Sequence, residues 1–267
     1  MRGTELEVRA DRVAAEERLE ISAAGPGQDP VPVTITMRTP GHEAELAAGF
    51  LRTEGLIGND DVVRVRFRDP SAGAVADDAV IVELRRALDA SSVAERHVLA
   101  AASSGIRAEA LLDEVAAACE PLPDGPMVRR EVILRLPAAL RAAQQVVDDT
   151  DWVHAAGLFS VEGAPVVVRE DVGQHNALDK LVGSQLLAGR LPLHDRLLVV
   201  TGPVSFGTVR KAAIAGIPFV AAVSTPSSLA VEAAQRLGVT LVGVLRDDGF
   251  NVYAHDRRID LSDLLAT

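Results

Sequence analysis

Glu170-Asp171-Val172-Gly173-Gln174-His175-Asn176-Ala177-Leu178-Asp179-Lys180 is the stretch on which the reading of this chain turns. Ahead of it, the apolar run Ala164 to Val168 reads as a buried strand. Behind it, Ala177, Leu178, Leu181, Val182, Leu186 and Leu187 recur at helical spacing. The stretch is therefore a strand-to-helix corner. It holds more polar chemistry than a plain connection needs. His175 and Asp179 can share one helix face, as can Asn176 and Lys180. A carboxylate from Glu170, Asp171 or Asp179 is expected to orient His175 in a crevice. The plainer reading is a cap from Asp171, a turn at Gly173 and a solvated polar face.

Working outward, a strand near 153–159 precedes the corner. After it come a strand at 197–200, a helix at 205–215, a strand at 219–223, a helix at 227–237 and a strand at 240–245. This alternation predicts a mainly parallel sheet covered by helices on both faces, an α/β fold, with a last strand at 250–254 on its edge. The region before it reads as β-rich. Val31, Val33, Ile35 and Met37 alternate with polar neighbours, and a helix is expected from about His42 to Leu56. Val63, Val65 and Phe67 then alternate with Arg64, Arg66 and Arg68, with 79–84 as the partner strand. Residues 98–102 read as extended and 108–119 as a helix. Pro121, Pro123, Gly125 and Pro126 mark 120–127 as a linker between an N-terminal part, 1–119, and an α/β part, 128–267. Pro137 is expected to open a helix reaching about Val147.

The chain has 267 residues, 48% of them hydrophobic, enough for one large or two modest cores. Its formal charge of −11 argues against a nucleic-acid backbone or an anionic membrane as the main partner, so an anionic ligand must be held locally. No apolar run is long enough to span a membrane and the N-terminus has no signal-like apolar region, so a cytoplasmic protein is expected. A single cysteine, Cys119, excludes an internal disulfide and a Cys-based zinc set, and no structural metal is expected.

In open α/β sheets the ligand crevice lies at the carboxyl ends of the strands. Three loops end strands here: Thr201-Gly202-Pro203-Val204-Ser205, Ser224-Thr225-Pro226-Ser227-Ser228 and Arg246-Asp247-Asp248-Gly249. The first two run into helix N-termini, which offer unpaired N–H groups and a positive dipole end. Gly202, Ser205, Thr225 and Ser227 would let an oxyanion approach, and Arg246 adds a forked cation. Such a set suits a phosphate or pyrophosphate. Ordinary helix capping by Ser and Thr is the alternative. There is no GxGxxG, Walker loop, HExxH or GxSxG, and the PCxxC half of a zinc deaminase is missing.

Several blocks resemble the FdhD family, the accessory sulfurtransferases of molybdenum-dependent formate dehydrogenase. Glu16 to Ile21 is similar to the family's EEPLEI, and Thr36 to Leu51 to its TMRTPGHD-x-ELAxGFL. Glu170 to Lys180 is close to EDVGRHNAxDK, Thr225 to Ala230 to APTxLA, and Val244-Leu245-Arg246 and Phe250 to Tyr253 to GFxR and FNxY. The resemblance implies a cytidine-deaminase-like, three-layer α/β core without zinc, and a homodimer. It implies partners too, a cysteine desulfurase that donates sulfur and a molybdenum formate dehydrogenase that is served. The cargo would be the bis-molybdopterin guanine dinucleotide molybdenum cofactor. Its guanine end would lie on Val244, Leu245, Arg246, Asp247, Asp248 and Gly249, with Gly202, Ser205, Thr225, Ser227, His175 and Asn176 completing the cofactor-binding set.

The departures from the family pattern are specific. Aligned on Ser103 and Gly105, the family's two cysteines fall on Ser104 and Arg107, so the catalytic positions carry no thiol. The family's SGRxSxE corresponds to Thr201 to Gly207 without its Arg and Glu, its TGGxH reads Thr150-Asp151-Trp152-Val153-His154, and Gln174 replaces the Arg of EDVGRHN. Two readings follow. One is a sulfur-transferring accessory protein. The other is a cofactor- or nucleotide-binding chaperone or regulator without sulfurtransferase activity.

Overall fold

Strands whose side chains alternate between two buried faces need helices on both sides. In the computed structural model, which describes residues 13–68, 79–94, 112, 113, 115–117, 119, 122–145 and 153–262, the C-terminal part meets that need. Its six-stranded sheet contains β6 (His154–Phe159), β7 (Pro165–Asp171), β8 (Leu197–Val200), β9 (Phe219–Ala222), β10 (Thr240–Gly243) and β11 (Asn251–Ala254), in the order β11-β10-β9-β8-β6-β7. Strands β8, β9 and β10 are parallel, while β6 and β11 run antiparallel to their neighbours. The sheet is mixed.

On one face lie α3 (Gln174–Leu187), α4 (Phe206–Ile214) and α5 (Ser228–Leu237), packed on Leu158, Leu198, Val200, Val220 and Leu241. Right-handed crossovers through strands laid down in one direction place α4 and α5 on the same side. On the other face α2 (Arg130–Ala143) packs on Phe159, Leu197, Val199 and Phe219. Two short strands, β5 (Val128–Arg129) and β12 (Ile259–Asp260), pair beside it.

Helix α2 departs from the expectation that Pro137 opens it. It starts at Arg130 and carries Pro137 inside. An internal proline costs about 3 kcal/mol. Val132, Ile133, Leu136 and Leu140 form one stripe at helical spacing and are all buried, each worth about 1.5–3 kcal/mol. The stripe outweighs the proline. The helix stops at Ala143, short of Val147. The expected strand and helix at 98–102 and 108–119 lie wholly or largely outside the described residues.

The N-terminal part is a four-stranded sheet of β1 (Glu17–Ala24), β2 (Val31–Arg38), β3 (Val62–Phe67) and β4 (Ala79–Leu84), ordered β2-β1-β4-β3. Helix α1 (Glu43–Thr53) covers one face of it, with Leu46, Ala47 and Leu51 against Leu19, Ile21 and Val82. This helix ends before the expected Leu56. Gly55 takes φ +74°, and the Leu56 N–H closes back on the Leu51 carbonyl at 2.9 Å, a helix stop that glycine favours.

The two sheets meet through α1 and α3. Gly49 of α1 and Gly183 of α3 lie at the crossing. A Cβ on Gly49 would run into the Asp179 carbonyl, and one on Gly183 into the Glu45 carbonyl. The helix backbones therefore touch, and α3 is buried along most of its length. Gly183→Ala is expected to destabilise the fold by on the order of 1–3 kcal/mol or more, because backbone cannot move aside as a side chain can. A thermal melt checks this against Gly249→Ala, which meets open space. Equal melting temperatures would refute the glycine contact.

Candidate functional site

The corner after β7 is built from both halves of the chain. Asp171, the last residue of the strand, is fully buried and pairs with the buried Lys180 at 2.7 Å. Its Oδ1 accepts the Gly173 N–H at 2.9 Å and the Asn176 amide at 3.2 Å, and its Oδ2 accepts the Thr39 N–H at 3.2 Å. Lys180 donates to the Thr39 carbonyl at 2.8 Å, while Thr39 Oγ1 accepts the Val172 N–H at 3.0 Å. The Asn176 side chain donates to the Met37 carbonyl at 2.7 Å and accepts from Thr36 at 3.3 Å. The two longest sequence blocks, around Thr36–Pro40 and Glu170–Lys180, are thus one interlocked structure. Asp171 is not the helix cap. That position is Gly173, which has no side-chain cap.

One turn along α3 lies a second buried network. Asp179 accepts both from Lys211 of α4 at 2.8 Å and from Thr53 of α1 at 2.6 Å. Lys211 also reaches Glu54 at 3.0 Å and stands 5.3 Å over the Phe50 ring, and Arg210 pairs with Glu54 at 2.5 Å. Burial pushes the Asp179 carboxyl above the usual carboxylate range, with Lys211 pulling the other way. Burial acts in the same direction on Glu54, but Lys211 and Arg210 together outweigh it and hold that carboxyl at about 2.

The corner faces the carboxyl edge of the sheet, where β7, β8, β9 and β10 end and β6 begins. His175 lies at this edge with its Nε2 3.0 Å from Ser205 Oγ. Desolvation by the surrounding atoms, then the Lys211 charge, pushes His175 below the usual imidazole value. The expectation of a carboxylate partner is not met among the described residues. Glu170 binds Gln144 and Gln145, Asp171 binds Lys180, and Asp179 binds Lys211.

Ser205 and Ser227 each cap a helix, accepting the Thr208 and Ala230 N–H groups. Gly202 is buried where a Cβ would strike the Gln174 amide, which itself donates to the Pro203 carbonyl at 3.0 Å. The loops after β8 and β9 are joined, since Val204 donates to the Thr225 carbonyl and Ser227 to the Val204 carbonyl. Val244 adopts φ +53°, rare for a β-branched residue, and its N–H is held by the Ser224 carbonyl. Leu245 turns into the core, whereas Arg246, Asp247 and Asp248 are exposed around a turn closed by Arg246 N–H to Gly249 carbonyl at 2.9 Å. Among the described residues the Arg246 side chain has no partner.

The structure therefore brings His175, Gly202, Ser205 and the 244–249 turn to one edge of the sheet with Thr225 and Ser227. It turns Asn176 away into the corner network. Ser104 and Arg107 lie outside the described residues. His154 joins the edge beside Gly202 and Gln174. No ligand-spaced partner in the sequence signalled it. Lys211 and Thr53 carried no motif at all. Among the described residues no cluster of His, Cys, Asp and Glu is arranged to hold a metal, and no helix is long and apolar enough to cross a membrane.

Fold and site together define a mixed α/β protein whose strand-end loops share one edge of its sheet. The chain belongs to the FdhD/NarQ family, whose model matches residues 14–260. It is 45% identical over 256 residues to the sulfur carrier protein FdhD of Nocardia farcinica, covering 94% of this chain and 89% of that one. It is 46% identical to the protein of the same name from Streptomyces avermitilis, covering 95% and 90%, and 40% identical to that of Mycobacterium tuberculosis, covering 94% and 92%. A proposed formate dehydrogenase accessory protein from Desulfotalea psychrophila, known from its crystal structure, shares the fold with a TM-score of 0.73 and 24% identity, over 97% of this chain and 96% of that one.

Two outcomes follow from the networks. Lys180→Met strands Asp171 as an unpaired buried charge and is expected to cost about 3–5 kcal/mol in urea unfolding, with the loss reduced in Lys180→Met/Asp171→Asn. Simple additivity of the two changes would refute the pairing. For Glu54, a folded pKa near 2 against the ordinary 4.5 adds stability above 4.5 that is lost as the pH falls from 4.5 towards 2. The stability gap between the native protein and Glu54→Gln, on the order of 2–3 kcal/mol at neutral pH, should close over that window. A gap that does not change with pH would refute the assignment.

Proposed function

We propose that this protein is an accessory factor of molybdenum-cofactor maturation that holds the guanine-dinucleotide end of the cofactor at the carboxyl edge of its six-stranded sheet, and that it does not itself carry sulfur. The curated relatives are named as sulfur carriers, and a sulfur carrier needs a thiolate that can accept and release sulfane sulfur. The observation that carries the reading is the place of the only thiol. Cys119 lines a small cavity of about 130 Å³ with Arg52, Asn59, Pro192, His194 and Ile214, at the C-terminal end of α4. Ser205 caps the other end of that helix, whose nine residues span about 13 Å. Burial also raises the Cys119 thiol above its ordinary pKa, with Arg52 and Arg210 only partly opposing. A thiol on the wrong edge, protonated at neutral pH, does not replace the family's cysteines.

The crevice supports cargo binding. The N-termini of α4 and α5 and the exposed Arg246 face one edge, where the His175 ring can share a hydrogen bond with Ser205 or with a ligand oxygen. A formate dehydrogenase is the proposed client, in line with the resemblance, and a desulfurase would find no acceptor on this chain.

Titration calorimetry with GDP tests the crevice. Arg246→Ala removes a charge-assisted contact worth about 1.5–3 kcal/mol, so affinity should fall roughly tenfold or more. Absence of GDP binding by the native protein would refute the site. Incubation with a cysteine desulfurase and labelled cysteine should leave Cys119 unlabelled, and Ser104→Cys/Arg107→Cys should acquire label. Desulfurase-dependent label on the native chain that Cys119→Ala abolishes would overturn the reading.

A further inference from the structure

His175 is the one ionisable side chain of α3 that is open to water, since Asp179 and Lys180 are buried. It stands over the start of α4. Its Nε2 lies 3.0 Å from Ser205 Oγ, which in turn lies 3.2 Å from Thr208 Oγ1. A Cβ on Gly207 would come within 3.2 Å of both Cε1 and Nε2 of the ring, so the ring rests on the first turn of α4 at a residue with no side chain. A ligand oxygen that reaches Ser205 from the loop after β8 therefore also reaches Nε2.

The charges around the ring are committed to one another. Lys211 and Arg210 come from α4, Glu54 from the end of α1 and Asp179 from the next turn of α3. Lys211 holds Asp179 at 2.8 Å and Glu54 at 3.0 Å, and Arg210 holds Glu54 at 2.5 Å. Two cations and two carboxylates cancel. The remaining titratable neighbour along the edge is His154 of β6, beside Gly202 and Gln174. Among the described residues the ring has Ser205 as its hydrogen-bond partner and no carboxylate. An imidazolium at this place thus lacks a counter-charge of its own, in keeping with the downward push on its pKa from desolvation and then from Lys211. An anion beside Ser205 supplies what is missing, and an opposite charge this close favours the protonated ring by about 1–3 pH units.

Resting on the reading of this edge as the seat of the dinucleotide, we propose that His175 couples cargo binding to a proton. The ring takes up one proton from solvent as the diphosphate binds, donates from Nε2 to a phosphate oxygen, and returns the proton to solvent when the cargo leaves. No covalent bond to phosphorus forms or breaks. The sign follows from linkage. Between the free and the bound pKa of the ring, binding consumes a proton, so affinity falls as the pH rises through that window. The cargo is held more tightly on the acid side and let go on the alkaline side.

Titration calorimetry with GDP-mannose tests this in buffers of different ionisation enthalpy. Its diphosphate is esterified at both ends, so it lacks the phosphate group of GDP that titrates near about pH 6. The native protein is expected to take up a proton on binding and to lose roughly tenfold or more in affinity from about pH 5.5 to about pH 8. His175→Gln keeps an amide for the hydrogen bond but cannot titrate, and both effects should vanish in it. Ring-proton NMR gives a second readout. The His175 signal, assigned by its absence in His175→Gln, should titrate at a higher pH in the saturated protein than in the free one. Binding whose heat is independent of the buffer, uptake that persists in His175→Gln or disappears in His154→Gln instead, or a His175 midpoint that ligand does not raise, each overturns the proton coupling and leaves the crevice standing. Absence of binding by the native protein overturns both.

Discussion

The ion pair between Asp171 and Lys180 is the constraint on which the rest of the arrangement depends. Both groups are out of water, and burying either alone would cost several kcal/mol. Their remaining valences are filled by Thr39, Gly173 and Asn176. Thr39 comes from the loop between β2 and α1, so the pair is satisfied only when the N-terminal sheet docks on the C-terminal one. Formation of the corner and docking of the two halves are thereby coupled.

Helix α3 is the element that this coupling positions. Its Asn176–Lys180 face is committed to the β2–α1 loop, and Asp179 to α1 and α4 through Thr53 and Lys211. Close approach of α1 is possible because Gly49 and Gly183 let backbone meet backbone. With nearly all its side chains spent inward, α3 presents few groups to solvent at its first turn, Gln174 and His175 among them. Those are the groups that reach the loop after β8.

This division of labour concentrates the bonds that hold the carboxyl edge in a few polar groups. Among the described residues the networks that hold the carboxyl edge draw on Thr36, Met37, Thr39, Thr53, Asp171, Asn176, Asp179, Lys180 and Lys211. These bonds fix the edge at which the cofactor is proposed to sit.

Much of the α/β part was legible in the chain itself. Strand-loop-helix punctuation around Thr201–Ser205 and Ser224–Ser228 is local, and strand-end loops in such a sheet must share one edge. The glycine stop at Gly55 and the proline inside α2 were misjudged, because a left-handed φ and a buried stripe on the sheet decide them. Polar partners were the least legible. Asn176 looks like a ligand group in sequence and is a strut in the structure, while Lys211 and His154 look plain and sit at the centre of the network and the edge. Their partners lie across chain separations that periodicity cannot reach, as with Lys211 and Thr53 or Asn176 and Met37. Sequence alone determined the strand-helix order of the α/β part and the edge at which its strand-end loops gather. Tertiary structure alone decided which polar groups are consumed in burial and which remain for chemistry, because a buried charge is tolerated only where a distant segment supplies its counter-charge and hydrogen bonds.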